Sequence, residues 1–174
     1  MGKTAPANPV KMFTGILYKN VNDFDCLRKI LISKFGKIDY ASSALKFDYT
    51  DYYEEEMGDG LLRVFFSFKR LIKPNELAKI KILTNKIEHK FSTLGKRRVN
   101  VDPGYLTLAK VILASTKDFS HRIYLDKGIF AELTLQYINK TFMPLPWTYP
   151  DYRTTEYAQI FKDMRSILSG QSYV

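Results

Sequence analysis

The sequence predicts an α+β fold with a ferredoxin-like βαββαβ core, and three observations lead to this prediction. Segments typical of strands recur along the chain, two amphipathic segments of helical period separate them, and glycine or proline stands at several of their ends. The order strand, helix, strand, strand, helix, strand is that of the split βαβ unit. We expect this core over residues 11–101, a flexible stretch at 1–10, and an extension over 102–174 that packs on the core.

Four segments of the core predict strands. Residues 11–18 carry apolar side chains on both faces, as a buried strand does, whereas apolar positions alternate in residues 38–49. Residues 61–68 (LLRVFFSF) are rich in aromatic and aliphatic side chains. Residues 97–101 (RRVNV) predict a short strand that ends at a DPG turn, residues 102–104.

Two segments of helical period separate these strands. The first begins at a cap supplied by Asn22 or Asp23 and ends at Gly36. The second spans residues 74–93, with Pro74 in its first turn. Proline is tolerated there because the N–H groups of the first turn have no hydrogen-bond partner within the helix. The apolar stripes of the two helices consist of Phe24, Leu27, Leu31 and Phe35 in the first and of Leu77, Ile80, Leu83, Ile87 and Phe91 in the second.

The extension supplies further elements. Residues 105–115 are apolar throughout, and their period does not distinguish a strand from a buried helix. Residues 121–125 and 129–137 flank an Asp-Lys-Gly turn, which predicts a β-hairpin. Three prolines make residues 143–152 an extended loop that either lines a pocket or packs over a sheet edge. An apolar stripe over residues 157–168 predicts a final helix.

Composition predicts a soluble, cytoplasmic protein of one domain. Of the 174 residues, 45% are hydrophobic, and no linker or repeat divides the chain. No apolar run reaches the roughly 18 residues needed to span a bilayer, and the N-terminus lacks the apolar segment of a signal peptide. Cys26 is the only cysteine, so we expect no disulfide, iron–sulfur cluster or cysteine-based zinc site, and no haem.

The net charge of +9 is unevenly distributed. Residues 69–98 hold ten basic and two acidic side chains, whereas residues 48–59 hold six acidic and no basic ones. Such runs are often solvated faces, but they also bind polyanions or oppositely charged proteins. Two alternative predictions follow, namely RNA binding by the basic helix 74–93 and a homodimer in which the acidic loop contacts that helix. We expect no membrane partner.

Candidate anion-binding residues are Lys117, Arg122, Arg97 and Arg98. Arginine offers a bidentate fork and lysine a mobile point charge, which suits a phosphorylated or nucleotide-like ligand. Complete P-loop, dinucleotide-binding, nucleophile-elbow and zinc-protease motifs are absent from the sequence, so these residues belong to no standard motif. The sequence therefore leaves open whether the ligand is only bound or also transformed.

Three residues are candidates for proton transfer. Asp102 precedes Pro-Gly at a strand end, where a carboxylate can serve as a base or simply form the turn. His121 is a second candidate, because a histidine can serve as a general acid or base, although a structural histidine fits equally well, and Tyr105 is a third candidate. If His121 begins a strand, Arg122 points to the opposite face, and the two share a site only if the strand starts later.

Asp48, Asp51 and Glu132 are the candidate ligands of a magnesium ion, because carboxylate oxygens suit that ion. Glu132 lies within a predicted strand and fits a solvated strand face as well. The acidic stretch 47–60 has two further interpretations. It is either a solvated turn anchored by its tyrosines or an electrostatic partner of the basic helix.

Four segments together resemble an uncharacterised prokaryotic family, the domain of unknown function family 4416. They read FDYTDYYEEEMG, RRVNVDPGYLTLAKVILASTKD, HRIYL and PLPWTYPDYR, and the resemblance extends over about residues 9–165. Some members carry the label "GTP-binding protein", but residues 2–4 (GKT) and 116–118 (TKD) match only fragments of GTPase motifs. The resemblance implies that the four segments form one unit, and it implies no particular activity.

Overall fold

Antiparallel strand pairing organises the chain into three layers. A computed structural model describes residues 2–171, while Met1 and residues 172–174, the ends of the predicted domain, lie outside the described residues. A nine-stranded antiparallel sheet forms the middle layer, with helices on both faces. The predicted α+β class is therefore confirmed. No helix within residues 2–171 is both long and apolar enough to cross a membrane.

The sheet has the strand order β11-β10-β8-β7-β1-β4-β2, with β3 beside β4 and β9 beside β10, and β5 and β6 form a separate ribbon. The strands are β1 (Val10–Tyr18), β2 (Ile38–Ala41), β3 (Leu45–Lys46), β4 (Leu62–Ile72), β5 (Ser92–Thr93), β6 (Lys96–Arg97), β7 (Val99–Leu106), β8 (Lys110–Ser115), β9 (Arg122–Asp126), β10 (Ile129–Ile138) and β11 (Thr141–Pro144). The α-helices of the described residues are α1 (Val21–Phe35), α2 (Glu54–Met57), α3 (Leu77–Lys90) and α4 (Thr155–Gly170).

The central strands carry apolar side chains on both faces. Ile16 of β1 and Phe66 of β4 pack against α1 and α3, whereas Phe13 and Phe65 of the same strands pack against α4. Successive side chains of a strand point to opposite faces, so a strand buried on both sides is apolar at nearly every position. This explains the continuous apolar run at residues 11–18.

The helix ends follow local capping chemistry. Asn20, rather than the predicted Asn22 or Asp23, caps α1, because its side-chain oxygen accepts hydrogen bonds from the backbone N–H groups of those two residues. Gly36 ends the helix with a φ of 94°, a conformation that other residues seldom adopt. Pro74 opens a 3₁₀ turn that leads into α3.

Three predicted segments have different boundaries in the structure. The predicted strand 38–49 is split into β2 and β3. The ambiguous segment 105–115 forms the end of β7, a turn and β8, and Thr107 stabilises the turn by accepting two backbone N–H groups at 3.1 Å. The predicted loop 143–152 begins within β11 and ends in a 3₁₀ turn.

The predicted turn at residues 102–104 is wrong, because these residues lie inside β7. Their pairing with β1 is continuous, as Asp102 lies opposite Gly15 and Pro103 opposite Thr14. On its other edge β7 pairs with β8 only from Gly104 onward. Proline is tolerated in a strand where one edge is unpaired, so Pro103 marks the end of a ladder rather than a turn.

The strands β7 and β8 diverge at Pro103. The backbone N–H of Val101 donates to Oε1 of Glu88 at 2.8 Å, and its carbonyl accepts from Nζ of Lys81 at 3.4 Å. Val101 therefore presents its hydrogen-bonding groups away from β1, and Pro103, two residues later, shares this orientation. Since Pro103 has no N–H to donate, the ladder with β8 stops at Gly104. Two buried side chains of α3 take the place of the missing strand.

We expect Gly104→Ala to destabilise the fold. A Cβ atom at Gly104 would lie 2.4 Å from the carbonyl oxygen of Ile112 and 2.4 Å from a ring carbon of Phe13, so the backbone would have to move. Overpacking of this kind lowers the free energy of unfolding by about 1–3 kcal/mol. Chemical denaturation should therefore show a lower midpoint than in the wild-type protein.

Gly170→Ala is the matched control, because a Cβ there meets no heavy atom within 4 Å outside its own helix. Its unfolding free energy should stay within about 0.5 kcal/mol of the wild-type value. Equal midpoints for the Gly104→Ala variant and the wild-type protein would contradict the close approach of β1, β7 and β8.

Candidate functional site

The fork between β7 and β8 opens into a cavity of about 490 Å³. Its wall combines residues of the loop 47–53, of β4, α3, β7, β8 and β10, and of the loop 149–152. Small-molecule sites in proteins have volumes of roughly 300–1,000 Å³ and collect a few polar groups on an otherwise apolar wall. The convergence of these distant segments makes the cavity the candidate functional site.

Arg63 of β4 is the most deeply buried positive charge in the cavity wall, with a side chain 3% exposed. Nη2 donates to Oδ2 of Asp151 at 3.3 Å, and Nη1 lies 3.6 Å from Oδ2 of Asp102, within ion-pair distance only. Nε and Nη1 have no hydrogen-bond partner among the described residues. A buried guanidinium needs acceptors for its five N–H groups, so Arg63 retains donors that the surrounding protein does not use.

Asp102 is an ionised carboxylate beside Arg63. Its Oδ2 accepts from Nδ2 of Asn100 at 2.7 Å, and its Oδ1 accepts from Nζ of Lys81 at 3.3 Å. Burial alone would raise the pKa of this carboxyl group, but the positive charges of Lys81 and Arg63 outweigh that effect. The pKa of Asp102 therefore lies below its usual range, and the group is charged at neutral pH.

Asp151 is the second carboxyl group beside Arg63, and its pKa shifts in the opposite direction. Burial raises the pKa of Asp151, and the positive charge of Arg63 offsets only part of that rise. Two carboxyl groups that share one guanidinium thus differ in proton affinity. Such a separation of pKa values can provide one proton donor and one acceptor in a single site.

Glu132 of β10 also lines the cavity and is 1% exposed, so it does not lie on the solvated strand face. Its Oε2 accepts from Nε of Arg122 at 2.9 Å and lies 3.2 Å from Nε2 of His121. The strand β9 begins at Arg122, which leaves His121 in the preceding turn. His121 and Arg122 therefore both contact the carboxylate of Glu132. The sequence allows a shared site for these two residues only if the strand begins after residue 121, as it does.

The proline-rich loop forms one side of the cavity and also covers a sheet edge. Tyr149 and Asp151 line the cavity, and the hydroxyl oxygen of Tyr149 accepts from Nη2 of Arg122. Trp147 stacks on His121 with ring centroids 5.3 Å apart, and its Nε1 donates to the carbonyl oxygen of Leu133 in β10 at 2.8 Å. The loop therefore both lines a pocket and packs against the sheet, the two roles between which the sequence did not decide.

Arg97 links the acidic stretch to the cavity. Its Nε and Nη2 each donate to a carboxylate oxygen of Glu56 at 2.7 Å, and Nη1 donates to Glu88 at 3.0 Å and to Asn100 at 2.9 Å. Since these donors are used within the protein, Arg97 holds α2 and Asn100 in place rather than offering a free anion site. Glu56 is thus an electrostatic partner, while Glu54 and Glu55 are exposed.

Lys117 lines the cavity from an exposed position just after β8. Its Nζ donates to the hydroxyl of Tyr52 at 3.1 Å and lies 4.3 Å from the centroid of that ring. The partner of this ammonium group is therefore a tyrosine rather than a carboxylate. Lys117 therefore contributes a positive charge to the cavity wall, and its anion-binding role stays a prediction.

Two predicted site residues lie away from the cavity. Tyr105 packs against two core clusters, because odd-numbered residues of β7 such as Val101 face α1 and α3 while Asp102 faces the other side. Arg98 donates to the carbonyl oxygen of Phe91 at 3.0 Å and forms an ion pair with Asp23 of α1. Both assignments are corrected for the same reason, since the chain directs these side chains to the other face of the sheet.

The three predicted magnesium ligands do not converge. Asp48 forms an exposed ion pair with Lys46 at 2.9 Å, Asp51 is exposed, and Glu132 is buried between His121 and Arg122. Phe47, the residue before Asp48, is buried, and alternation along the chain turns Asp48 outward. Within residues 2–171, no three His, Cys, Asp or Glu side chains are arranged to hold a metal ion.

The sequence-based predictions omit Arg63, Lys81 and Asp151. Arg63 is the only charged residue in LLRVFFSF, and a charge in a buried strand requires partners, so this signal was available. Lys81 lies four residues after Leu77, on the apolar face of α3, which is a second signal. Asp151 gives no comparable signal, because only the fold brings its loop beside β4.

We expect Glu56→Gln to lower the melting temperature at pH 7 by roughly 2–8 °C, because it weakens a bidentate charged hydrogen bond worth about 1–2 kcal/mol. Hydrogen bonds from Arg97 lower the pKa of Glu56. This stabilisation is therefore complete above the unfolded-state pKa of about 4.3 and disappears as pH falls through the lower folded-state pKa. Melting curves between pH 7 and pH 3 should show the difference shrinking.

Glu54→Gln is the control, since Glu54 occupies the same helix with an exposed side chain. It should leave the melting temperature unchanged at each pH. A Glu56→Gln deficit that is as large at pH 3 as at pH 7 would contradict the charged contact with Arg97.

Comparison with known protein families matches residues 8–168 to the family described as Domain of unknown function (DUF4416). Comparisons with curated proteins and with solved structures gave no match. The matched residues include every segment that lines the cavity. The chain therefore belongs to the domain of unknown function family DUF4416.

Proposed function

We propose that the cavity binds a phosphorylated or nucleotide-like anion. The observation that carries this proposal is the buried guanidinium of Arg63, whose Nε and Nη1 groups lack partners among the described residues. A phosphate group offers several strong acceptor oxygens and commonly receives paired N–H donors from one arginine. Lys117 adds a positive charge that no carboxylate of the described residues contacts by a hydrogen bond.

The rest of the wall favours a nucleotide over inorganic phosphate. Five tyrosines line the cavity and make part of its wall aromatic, which suits a base. Asp102, Asp151 and Glu132 offer acceptors to sugar hydroxyl or base amino groups. The lining tyrosines are Tyr49, Tyr52, Tyr53, Tyr149 and Tyr152. A ligand with an anionic group, hydroxyl groups and an aromatic ring would contact the cationic, carboxylate and tyrosine side chains of the cavity together.

The same residues support a reaction as well as binding. Asp102 and Asp151 have pKa values shifted in opposite directions on either side of Arg63, and His121 reaches the cavity through Glu132. Magnesium is usually held by one or two carboxylates together with ligand phosphates. Asp102 would be the ionised carboxylate for such an arrangement, so magnesium dependence stays a prediction.

We also propose that β1, α1, β2, β4, α3 and β7 form a ferredoxin-like unit. The strand order β7-β1-β4-β2, antiparallel throughout, supports this proposal, as does the packing of α1 and α3 on one face. The elements after β7 would then extend that sheet by four strands and cover its other face with α4. A single domain over residues 1–174 and a cytoplasmic location stay predictions.

The homodimer through the acidic loop also stays a prediction. Three carboxylates of that loop bind within their own chain, as Glu56 contacts Arg97, Asp59 contacts Lys19 at 2.8 Å and Asp48 contacts Lys46. Less acidic charge is thus left for a second subunit than the sequence suggests. Light scattering at low and high salt measures this association directly.

We expect nucleotides to raise the melting temperature in a thermal-shift series that includes inorganic phosphate and is run with and without Mg²⁺. A ligand at 100 times its Kd stabilises the folded state by about 2.7 kcal/mol, or roughly 5–10 °C for a chain of this length. Lys117→Met should weaken nucleotide binding about tenfold, because it removes a charged donor from the cavity wall.

Lys110→Met is the matched control, since Lys110 is exposed at the opposite end of β8 and does not line the cavity. It should bind nucleotide like the wild-type protein. The proposal fails if no phosphorylated compound shifts the melting temperature, or if both lysine variants bind as tightly as the wild type.

A further inference from the structure

A second concave surface joins the cavity at Thr116. It is a shallow groove of about 620 Å³ between α3 and the turn that connects β9 to β10. The polar residues along it are Asn85, Lys86, His89, Lys90, Thr116 and Lys127. Because Thr116 lines both the groove and the cavity, the two surfaces are adjacent at this residue.

The groove is basic and contains no acidic side chain. Lys86, Lys90 and Lys127 are exposed, and none of the residues that line the groove is Asp or Glu. Lys86 and Lys90 are four residues apart on α3, so they lie on one face of the helix, about 6 Å apart along its axis. Such a surface attracts a chain of negative charges.

Lys86 and Lys90 differ from three other basic residues of the segment 69–98. Lys81, Arg97 and Arg98 each bind a carboxylate of the same chain, namely Asp102, Glu56 and Asp23. Lys86 and Lys90 form no ion pair among the described residues. The same is true of Lys69, Arg70, Lys73, Lys79 and Lys96, but of these seven residues only Lys86 and Lys90 line the groove. Two of the seven basic residues of this segment that form no ion pair within residues 2–171 therefore lie in the groove next to the cavity.

We propose that cavity and groove together bind the phosphorylated end of a single-stranded nucleic acid, which rests on the proposed nucleotide-like ligand of the cavity. The terminal nucleotide occupies the cavity, with its phosphate at Arg63 and its base against the tyrosines. The phosphates that follow lie along Lys86 and Lys90. Proteins that bind single strands combine such a basic groove with aromatic stacking surfaces.

The cavity selects a single strand over the other polyanions. A paired and stacked end is too large for about 490 Å³, which holds roughly one nucleotide. An acidic polypeptide would use the lysines of the groove but not the tyrosines or the phosphate donors of Arg63. Occupation of both surfaces at once therefore distinguishes a nucleic acid end from an acidic protein.

The test measures fluorescence anisotropy with a decauridylate phosphorylated at its 5′ or 3′ end and labelled at the other end, together with the DNA counterparts. We expect an end-phosphorylated decamer to bind at least tenfold more tightly than uridine monophosphate at 50 mM salt. It should also bind more tightly than the same decamer without the end phosphate. Comparing the RNA decamer with the DNA decamer shows whether the bound single strand is RNA or DNA.

The variant Lys86→Gln/Lys90→Gln should weaken decamer binding about tenfold and leave binding of uridine monophosphate unchanged. Loss of two phosphate contacts should reduce the slope of log K against log salt by about 1.4 for a single strand. The control Lys29→Gln/Lys34→Gln removes the same charge from exposed positions on α1 and should bind the decamer like the wild-type protein.

The inference is overturned if the decamer binds no more tightly than the mononucleotide, if both double variants weaken it equally, or if polyglutamate competes as well as the unlabelled decamer. Mononucleotide binding without tighter decamer binding overturns this inference and leaves the proposed function standing. Decamer binding through the groove without any mononucleotide binding overturns the proposed function, and the cavity part of this inference with it.

Discussion

Pro103 ends the hydrogen bonding between β7 and β8, and the cavity exists because the two strands separate at that residue. A proline in the middle of a sheet removes a ladder hydrogen bond, so the partner strand must leave or another group must fill its place. Here β8 leaves, and Glu88 and Lys81 of α3 bind the backbone of Val101 instead. Both side chains are buried, and one of them, Lys81, also donates a hydrogen bond to Asp102.

Several of the buried charges in the site are thereby connected. Lys81 and Arg63 share Asp102, and Arg63 also contacts Asp151 across the cavity wall. Burying such groups costs several kcal/mol each, and an apolar core of the same volume is often equally stable or more stable. The network is therefore poorly explained as a device for stability. The proposed ligand would use the unpartnered donors of Arg63.

The sequence predicts those elements whose signal is local. The apolar run of β1, the capped amphipathic helices and the hairpin around residue 127 need only period and turn chemistry, and all are present in the structure. The misassigned DPG segment shows the limit of such reasoning, because whether Pro103 turns the chain or ends a ladder depends on which strand lies beside it. The same holds for Asp51 and Tyr105, which look functional in sequence and have no place in the cavity.

The four segments on which the family resemblance rests meet at this site. The first, second and fourth supply cavity residues such as Tyr52, Asp102 and Tyr149, and the third supplies His121 and Arg122, which bind Glu132. Residues from all four segments thus lie in the cavity wall or contact Glu132, which is part of that wall. Lys81 and Arg63 complete that wall, and both were recognisable as charges on otherwise apolar faces.

The most direct measurement follows the side-chain Nε–H signal of Arg63 by ¹⁵N NMR while a nucleotide is added. The signal is assigned by its absence from the Arg63→Lys protein. If Arg63 donates its unpartnered N–H groups to the ligand, the signal should shift and saturate with the same Kd as binding measured by calorimetry. A nucleotide that binds with heat while the Arg63 signal stays in place would show that the ligand lies elsewhere, and would contradict the account of the cavity.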